Sequence, residues 1–122
     1  MNKLSVIVPA RNEADNLTEC ISEIAKELTQ HSIDFEILVI DDGSTDNTVN
    51  VIKVINESIS SVKCIRNEGE NGFGRAVRLG FDNFTGDAVA IMMADRSDSP
   101  RDLVTYWKCI QNGNDCVFGS RF

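Results

Sequence analysis

The sequence predicts an α/β protein with a mainly parallel sheet and helices on both faces. Three observations carry that expectation. Short β-branched and apolar runs recur along the chain, and each is followed by apolar residues at helical spacing. Polar clusters come directly after the runs. Runs that are apolar throughout, alternating with amphipathic helices, imply parallel pairing, right-handed crossovers and burial on both sides.

Ser5 to Val8 is the first strand, ended by Pro9. Behind Asp15 as a plausible N-cap, Leu17, Cys20, Ile21, Ile24, Ala25 and Leu28 fall on one helical face. Phe35 to Ile40 is the second strand, broken by Asp41-Asp42-Gly43-Ser44. Ser44 or Asp46 can cap the next helix, whose stripe is Val49, Ile52, Ile55 and Ile59. Val62 to Ile65 is the third strand, and a stretch from Glu68 to Gly74 leads into a helix marked by Val77, Gly80, Phe81 and Phe84. Ala88 to Met92 is the fourth strand. Ser99-Pro100 pairs a capping residue with a proline suited to a first helical turn, and Leu103, Val104, Trp107 and Ile110 form the apolar face. Val117 and Phe118 suggest a fifth strand.

In parallel sheets of this kind ligands bind outside the carboxyl ends of the strands, near the switch in strand order. The expected strands place Pro9 to Glu13, Asp41 and Asp42, Arg66, Asp95 to Asp98 and Gly119 to Arg121 on that edge. Five polar clusters therefore converge.

Composition bounds what they can do. The 122 residues suit one domain, spanning residues 1–122, and 42% hydrophobic with 25% charged residues is ordinary globular usage. The longest apolar stretches, Leu4 to Ala10 and Ala88 to Ala94, are far short of the roughly 20 residues of a membrane span. The amino terminus lacks the apolar core and cleavage site of a secretory signal, so the chain reads as cytoplasmic. Twelve basic against nineteen acidic residues leave a net charge of −7, which opposes polyphosphate binding and argues against a nucleic-acid partner. A small phosphorylated ligand would need its charge reconciled with these carboxylates, most simply by a divalent cation. Cys20, Cys64, Cys109 and Cys116 are widely spread with no CxxC pair, which argues for reduced thiols, with Cys20 and Cys64 read as buried, rather than a zinc site. His31, in a polar run, reads as a loop residue.

Asp41 and Asp42 are adjacent at a strand end, so one side chain goes to each face. A carboxylate there can accept from a nucleobase or ribose or help hold a cation; simple turn and capping chemistry is the alternative. Met93-Ala94-Asp95-Arg96-Ser97-Asp98 supplies hard oxygens after a strand, with Asp95 the foremost ligand candidate and Ser97 and Asp98 beside it; Asp98 and Ser99 can equally cap a helix. Gly72-Phe73-Gly74-Arg75-Ala76 fails as a dinucleotide loop, because it follows the third strand and Val77 stands at the third glycine position. Arg75 and Arg78 can reach a phosphate or simply be solvated.

Taken in order, Ser5 to Glu13, Val39 to Asp46, Asn71 to Ala76, Thr85-Gly86-Asp87 and Met93-Ala94-Asp95 resemble the amino-terminal half of the family 2 glycosyltransferases, in particular the dolichol- or polyprenol-phosphate sugar synthases. Gly119-Ser120-Arg121-Phe122 resembles the start of that family's next motif, so the resemblance implies a carboxy-terminally incomplete domain. It implies a Rossmann-like GT-A fold that binds a nucleoside-diphosphate sugar, UDP- or GDP-linked, with Mg2+ or Mn2+ and transfers the sugar with inversion to a lipid-phosphate or glycan acceptor. Pro9, Arg11, Asn12 and Glu13 would line the nucleoside pocket, Asp42 would accept from the base, and Asp95 would coordinate the metal. Asp41 and Arg75 complete the implied donor site. Met93 replaces the first carboxylate of the family's DxD element, and Ser97 or Asp98 would compensate. No residue matches the family's base or acceptor elements. Membrane association, frequent in relatives through later segments, would belong to the full-length parent.

The rival readings are a non-catalytic nucleotide-binding module and a phosphoribosyltransferase, whose apolar run and Asp-Asp pair Leu38 to Thr48 also resembles. Asp46 speaks against the latter, since it puts a carboxylate where a phosphate loop needs free N–H groups.

Overall fold

The computed structural model describes residues 3–95 and 99–111. Strands and helices alternate: β1 (Lys3–Ala10), α1 (Ala14–Gln30), β2 (Asp34–Asp41), α2 (Thr48–Ser58), β3 (Val62–Arg66), α3 (Phe73–Asn83), β4 (Ala88–Ile91) and α4 (Pro100–Gln111). All strand pairs are parallel, in the order β3-β2-β1-β4. The α/β class holds, and the strand order reverses between β1 and β4. The expected fifth strand at Val117 and Phe118 lies outside the described residues.

Strand alternation sorts the two faces. Leu4, Val6, Val8 and Ala10 of β1, with Ile37 and Val39 of β2, join the buried stripe of α1 and residues of α2 and α4 in the larger core. Ile7, Leu38 and Ile40 point the other way and meet Ala76 of α3 in a smaller one. The faces are therefore unequal, and the sheet approaches α3 closely. A Cβ at Gly80 would stand 2.7 Å from both Ile7 Cδ1 and Cγ2. The whole predicted stripe of α1 is buried, as are Leu103, Val104 and Trp107 of α4.

Several local expectations are corrected. Pro9 does not end β1, which runs to Ala10; so close to the strand end, a proline forfeits little of the ladder. Asp15 is in the first turn of α1, where Glu13 holds the N-cap position, and Asn47 rather than Ser44 or Asp46 holds that of α2; neither cap side chain bonds a backbone N–H, and the Thr48 N–H at the start of α2 is met by the Asp46 carboxylate. Phe81, expected on the buried stripe of α3, is 45% exposed. Cys64 is exposed rather than buried, on a strand that stands at the end of the sheet among the described residues. Such cover as its thiol has, together with the Asp41 carboxylate, pushes its pKa above the ordinary value against the pull of Arg66 and Lys53.

Candidate functional site

The register aligns Ala10, Asp41 and Arg66 across β1, β2 and β3, so the turns that follow these strands leave from one level. The turn after β4 joins them, because Met92 N donates to Ile7 O at 2.9 Å and carries the parallel ladder one residue further. β2 and β4 flank β1 on opposite sides, about 10 Å apart laterally at two strand spacings, and β4 ends level with Ile7, three residues before the level at which Asp41 ends β2. The Asp41-Asp42 pair and Asp95 thus share an edge of the sheet across its switch point.

Asp41 ends β2 with its side chain fully buried. Its Oδ1 accepts from Ser44 N at 3.1 Å. Its Oδ2 has no hydrogen-bond partner, and Arg66 Nε stands 3.9 Å away. Asp42, on the other face, is 7% exposed and accepts from Asn67 Nδ2 at 2.8 Å and Gly72 N at 2.9 Å. It therefore ties the loop between β3 and α3 to the end of β2. A carboxylate has further lone pairs, so these bonds leave acceptor capacity for a ligand.

The turns after β1 and β2 are fastened to each other. Asn12 sits in the left-handed region at φ 55, where its short polar side chain is tolerated. Its Oδ1 accepts from Thr45 N at 2.8 Å and Asp46 N at 3.2 Å, while its own N–H donates to Ser44 Oγ at 2.9 Å. Glu13 N donates to Thr48 Oγ1 and Ala14 N to Asp46 Oδ2. Asp46 also accepts from the backbone and hydroxyl of Thr48, and that hydroxyl bond is the largest cause holding its carboxyl below the ordinary range. Asn12 thus braces two turns. The N–H groups of residues 44, 45 and 46 are all taken, which removes the cradle a ribose 5-phosphate would need.

The other expected residues fall as follows. Pro9 is buried, Arg11 exposed and Glu13 partly exposed, its Oε1 accepting from Asn16 Nδ2 at 3.1 Å. Arg75 starts α3 in a surface pair with Glu70 at 3.1 Å. Asp95 is exposed, and Cys20 Sγ lies 3.7 Å from the carbonyl of half-buried Met93 just before it. Ser97 and Asp98 lie outside the described residues. Among the described residues no group of three His, Cys, Asp or Glu side chains could hold a metal ion. An exposed single carboxylate still suits a Mg2+-like ion, which is commonly held by one or two carboxylates plus substrate phosphates. The same described residues include no helix long and apolar enough to cross a membrane.

Asn67 and Thr48 escaped sequence reasoning, and so did the contacts by which Ser44 and Gly72 help organise this edge. Their types are ordinary for turns and helix starts, so only the fold reveals what they touch. Glu36 and Ser5 also escaped, although a glutamate inside the run Phe35 to Ile40 was a legible sign of a buried polar contact.

A family model described as glycosyl transferase family 2 matches residues 5–122. A dolichol-phosphate mannosyltransferase of Pyrococcus furiosus is 37% identical over 120 residues, covering 98% of this chain and 33% of that protein. The chain thus spans about a third of that relative's length. Among solved structures, a mannosyltransferase from Pyrobaculum calidifontis, in complex with GDP-Man and Mn2+, aligns with TM-score 0.69 and 26% identity over 77% of this chain and 28% of that one. The TarS protein of S. aureus in complex with UDP-GlcNAc shares the fold, with TM-score 0.74 and 23% identity over 98% of this chain and 38% of that one.

Proposed function

The chain belongs to glycosyl transferase family 2, and on that premise we propose that it is the donor-binding part of a glycosyltransferase, holding a nucleoside-diphosphate sugar at the carboxyl edge of its sheet through a divalent cation. The observation that carries this reading is the meeting of the β1, β2 and β4 turns on one edge, with Asp41 and Asp42 on one side of the switch point and Asp95 on the other. The solved mannosyltransferase complex with GDP-Man and Mn2+ supports the ligand class.

In this reading Pro9, Arg11 and Glu13 line the nucleoside side, and Asn12 holds the turn that presents them. Asp42 accepts from the base with the lone pairs left over from Asn67 and Gly72. Asp41 stays buried behind it and fixes the turn through Ser44. Asp95 is the protein's metal ligand, with Ser97 and Asp98 as further oxygens and Arg75 available to a phosphate once released from Glu70. A bound Mg2+ or Mn2+ would offset the charge developing on the diphosphate as it leaves the sugar. The dolichol-phosphate relative supports a polyprenyl-phosphate acceptor for the whole enzyme, and hence work at the cytoplasmic face of a membrane. No residue of this chain is assigned as the base that activates the acceptor.

The test is calorimetric titration of the chain with GDP, UDP and phosphoribosyl pyrophosphate, each with Mn2+ and with EDTA. The reading expects Mn2+-dependent binding of a nucleoside diphosphate. Preference for phosphoribosyl pyrophosphate, or binding indifferent to Mn2+, contradicts it. Met93 favours a second reading, a nucleotide-binding module without turnover, because a thioether is a poor ligand for hard cations. If Met93 is what weakens the metal site, Met93→Asp raises the Mn2+-dependent affinity; no change removes that support.

A further inference from the structure

At the edge of the sheet opposite the site, Glu36 is a buried charge that the donor-binding reading leaves unused. It is 2% exposed and stands on β2, yet its bonds run across β1 to the turn that launches β4. Its Oε2 accepts from Ser5 Oγ at 2.6 Å and from Thr85 N at 2.7 Å. Ser5 Oγ in turn accepts from Gly86 N at 2.9 Å. Glu36 Oε1 lies 3.7 Å from Lys3 Nζ and 3.6 Å from Lys63 Nζ. Asp87 closes the cluster with a reciprocal pair: Lys3 N donates to Asp87 Oδ2 at 2.8 Å and Asp87 N to Lys3 O at 2.7 Å. Lys63 of β3, Glu36 of β2, Lys3 and Ser5 of β1 and the turn before β4 are therefore tied at one place. The fit leaves no slack, since a Cβ at Gly86 would stand 2.5 Å from Ser5 Oγ and 2.7 Å from Lys3 O.

β4 needs such a tie. It has four residues, it pairs within the described sheet only with β1, and its side chains are at most half-buried. A one-residue slip of so short a strand would turn every side chain to the other face and move whatever follows it. Asp95 lies four residues beyond its end, after Met92 extends the pairing to Ile7. We infer that Glu36 is a positioning residue for the donor site: by fixing the Thr85-Gly86-Asp87 turn against Ser5 and Lys3, it sets the register of β4 and hence where Asp95 stands. This deepens the donor-binding reading and rests on it.

The test combines amide hydrogen exchange with GDP and UDP titration, each in Mn2+ and in EDTA, on the parent chain, Glu36→Ala, Glu36→Gln and Ser5→Ala. Ser5→Ala and Glu36→Gln serve where Glu36→Ala does not fold. Expected is exchange at least about tenfold faster at Asp87 and Met92, whose amides hold β4 to β1, with Asp42 N unchanged on its bond to Ala10 O. The Mn2+-dependent gain in nucleotide affinity falls about tenfold, while affinity in EDTA stays at the parent value because β1 and β2 still carry the nucleoside side. Glu36→Gln, which keeps one acceptor oxygen, lies between parent and alanine variant. Unchanged exchange at Asp87 and Met92 overturns the inference. So does an intact Mn2+ gain despite faster exchange, or equal loss of affinity with and without Mn2+, the mark of general loosening. A parent chain with no Mn2+ gain contradicts the donor-binding reading instead, and exchange then decides whether Glu36 sets the register of β4.

Discussion

Asp42→Ala separates a ligand contact from a structural brace. The carboxylate is nearly buried and accepts from Asn67 Nδ2 at 2.8 Å and Gly72 N at 2.9 Å. Hydrogen bonds to a charged partner contribute about 1.5–3 kcal/mol each. The two are not additive here, because Asn67 Nδ2 keeps a second acceptor in Glu70 O at 2.9 Å. Gly72 N loses the only acceptor it has on Asp42. The expected cost is about 3 kcal/mol, which for a domain of this size lowers the melting temperature by about 10 °C. Asp42→Asn keeps one acceptor oxygen and turns an amide toward the other donor, so it should lose about half as much. Urea unfolding followed by circular dichroism measures both variants. Nucleotide affinity in EDTA should fall with them, since the loop over residues 67–72 is released. A loss below about 0.5 kcal/mol for Asp42→Ala would refute the brace and leave the carboxylate a ligand contact alone.

Other expectations follow from the same geometry. Gly80→Ala pushes a methyl into Ile7 and should cost about 1–2 kcal/mol after the helix-propensity gain, whereas the same change in an Ile7→Ala background should be neutral or stabilising; a double-mutant cycle in urea that shows no coupling contradicts the close approach. Burial opposes the ionisation of Glu36, but hydrogen bonds from Ser5 and Thr85 and the Lys3 ammonium outweigh it and hold the carboxyl below its ordinary value of 4.5. Its stabilisation is therefore complete above that value and lost as pH falls through the lower folded one, so the stability difference between parent and Glu36→Gln should shrink below about pH 4.5. A difference that stays constant from pH 7 to pH 3 denies that role. Asn12→Gly keeps the positive φ but removes the acceptor for Thr45 N and Asp46 N; the amides of residues 45 and 46 should exchange faster, while the unfolding midpoint moves little.

How much of this was legible depended on whether a residue acts through its neighbours in sequence or across the sheet. The α/β class and the stripes of α1 and α4 could be read because burial of one helical face imposes its period on the chain. The carboxyl edge followed, since parallel strands end on one side. Edge effects were not legible: the apolar period of Val62 to Ile65 could not reveal that β3 ends the described sheet and that Cys64 is exposed. The chemistry of Asp41, Asp42 and Asp95 was suggested by type and place. The engagement of Asp42 with Asn67 and Gly72, 25 and 30 residues away in sequence, was not, because nothing local marks such a pair. Asn12 is the same lesson from the other side: resemblance placed it in the nucleoside pocket, and its amide oxygen is spent on the turn after β2.

The central claim is that Asp95 carries the cation through which this edge grips a diphosphate. Its most direct test is the affinity of GDP and UDP for the parent chain and for Asp95→Ala, measured by calorimetry in Mn2+ and in EDTA. The account predicts at least about a tenfold gain on adding Mn2+ to the parent, equivalent to about 1.4 kcal/mol, and none in the variant, with equal affinities for the two proteins in EDTA. A variant that gains as much as the parent would contradict it.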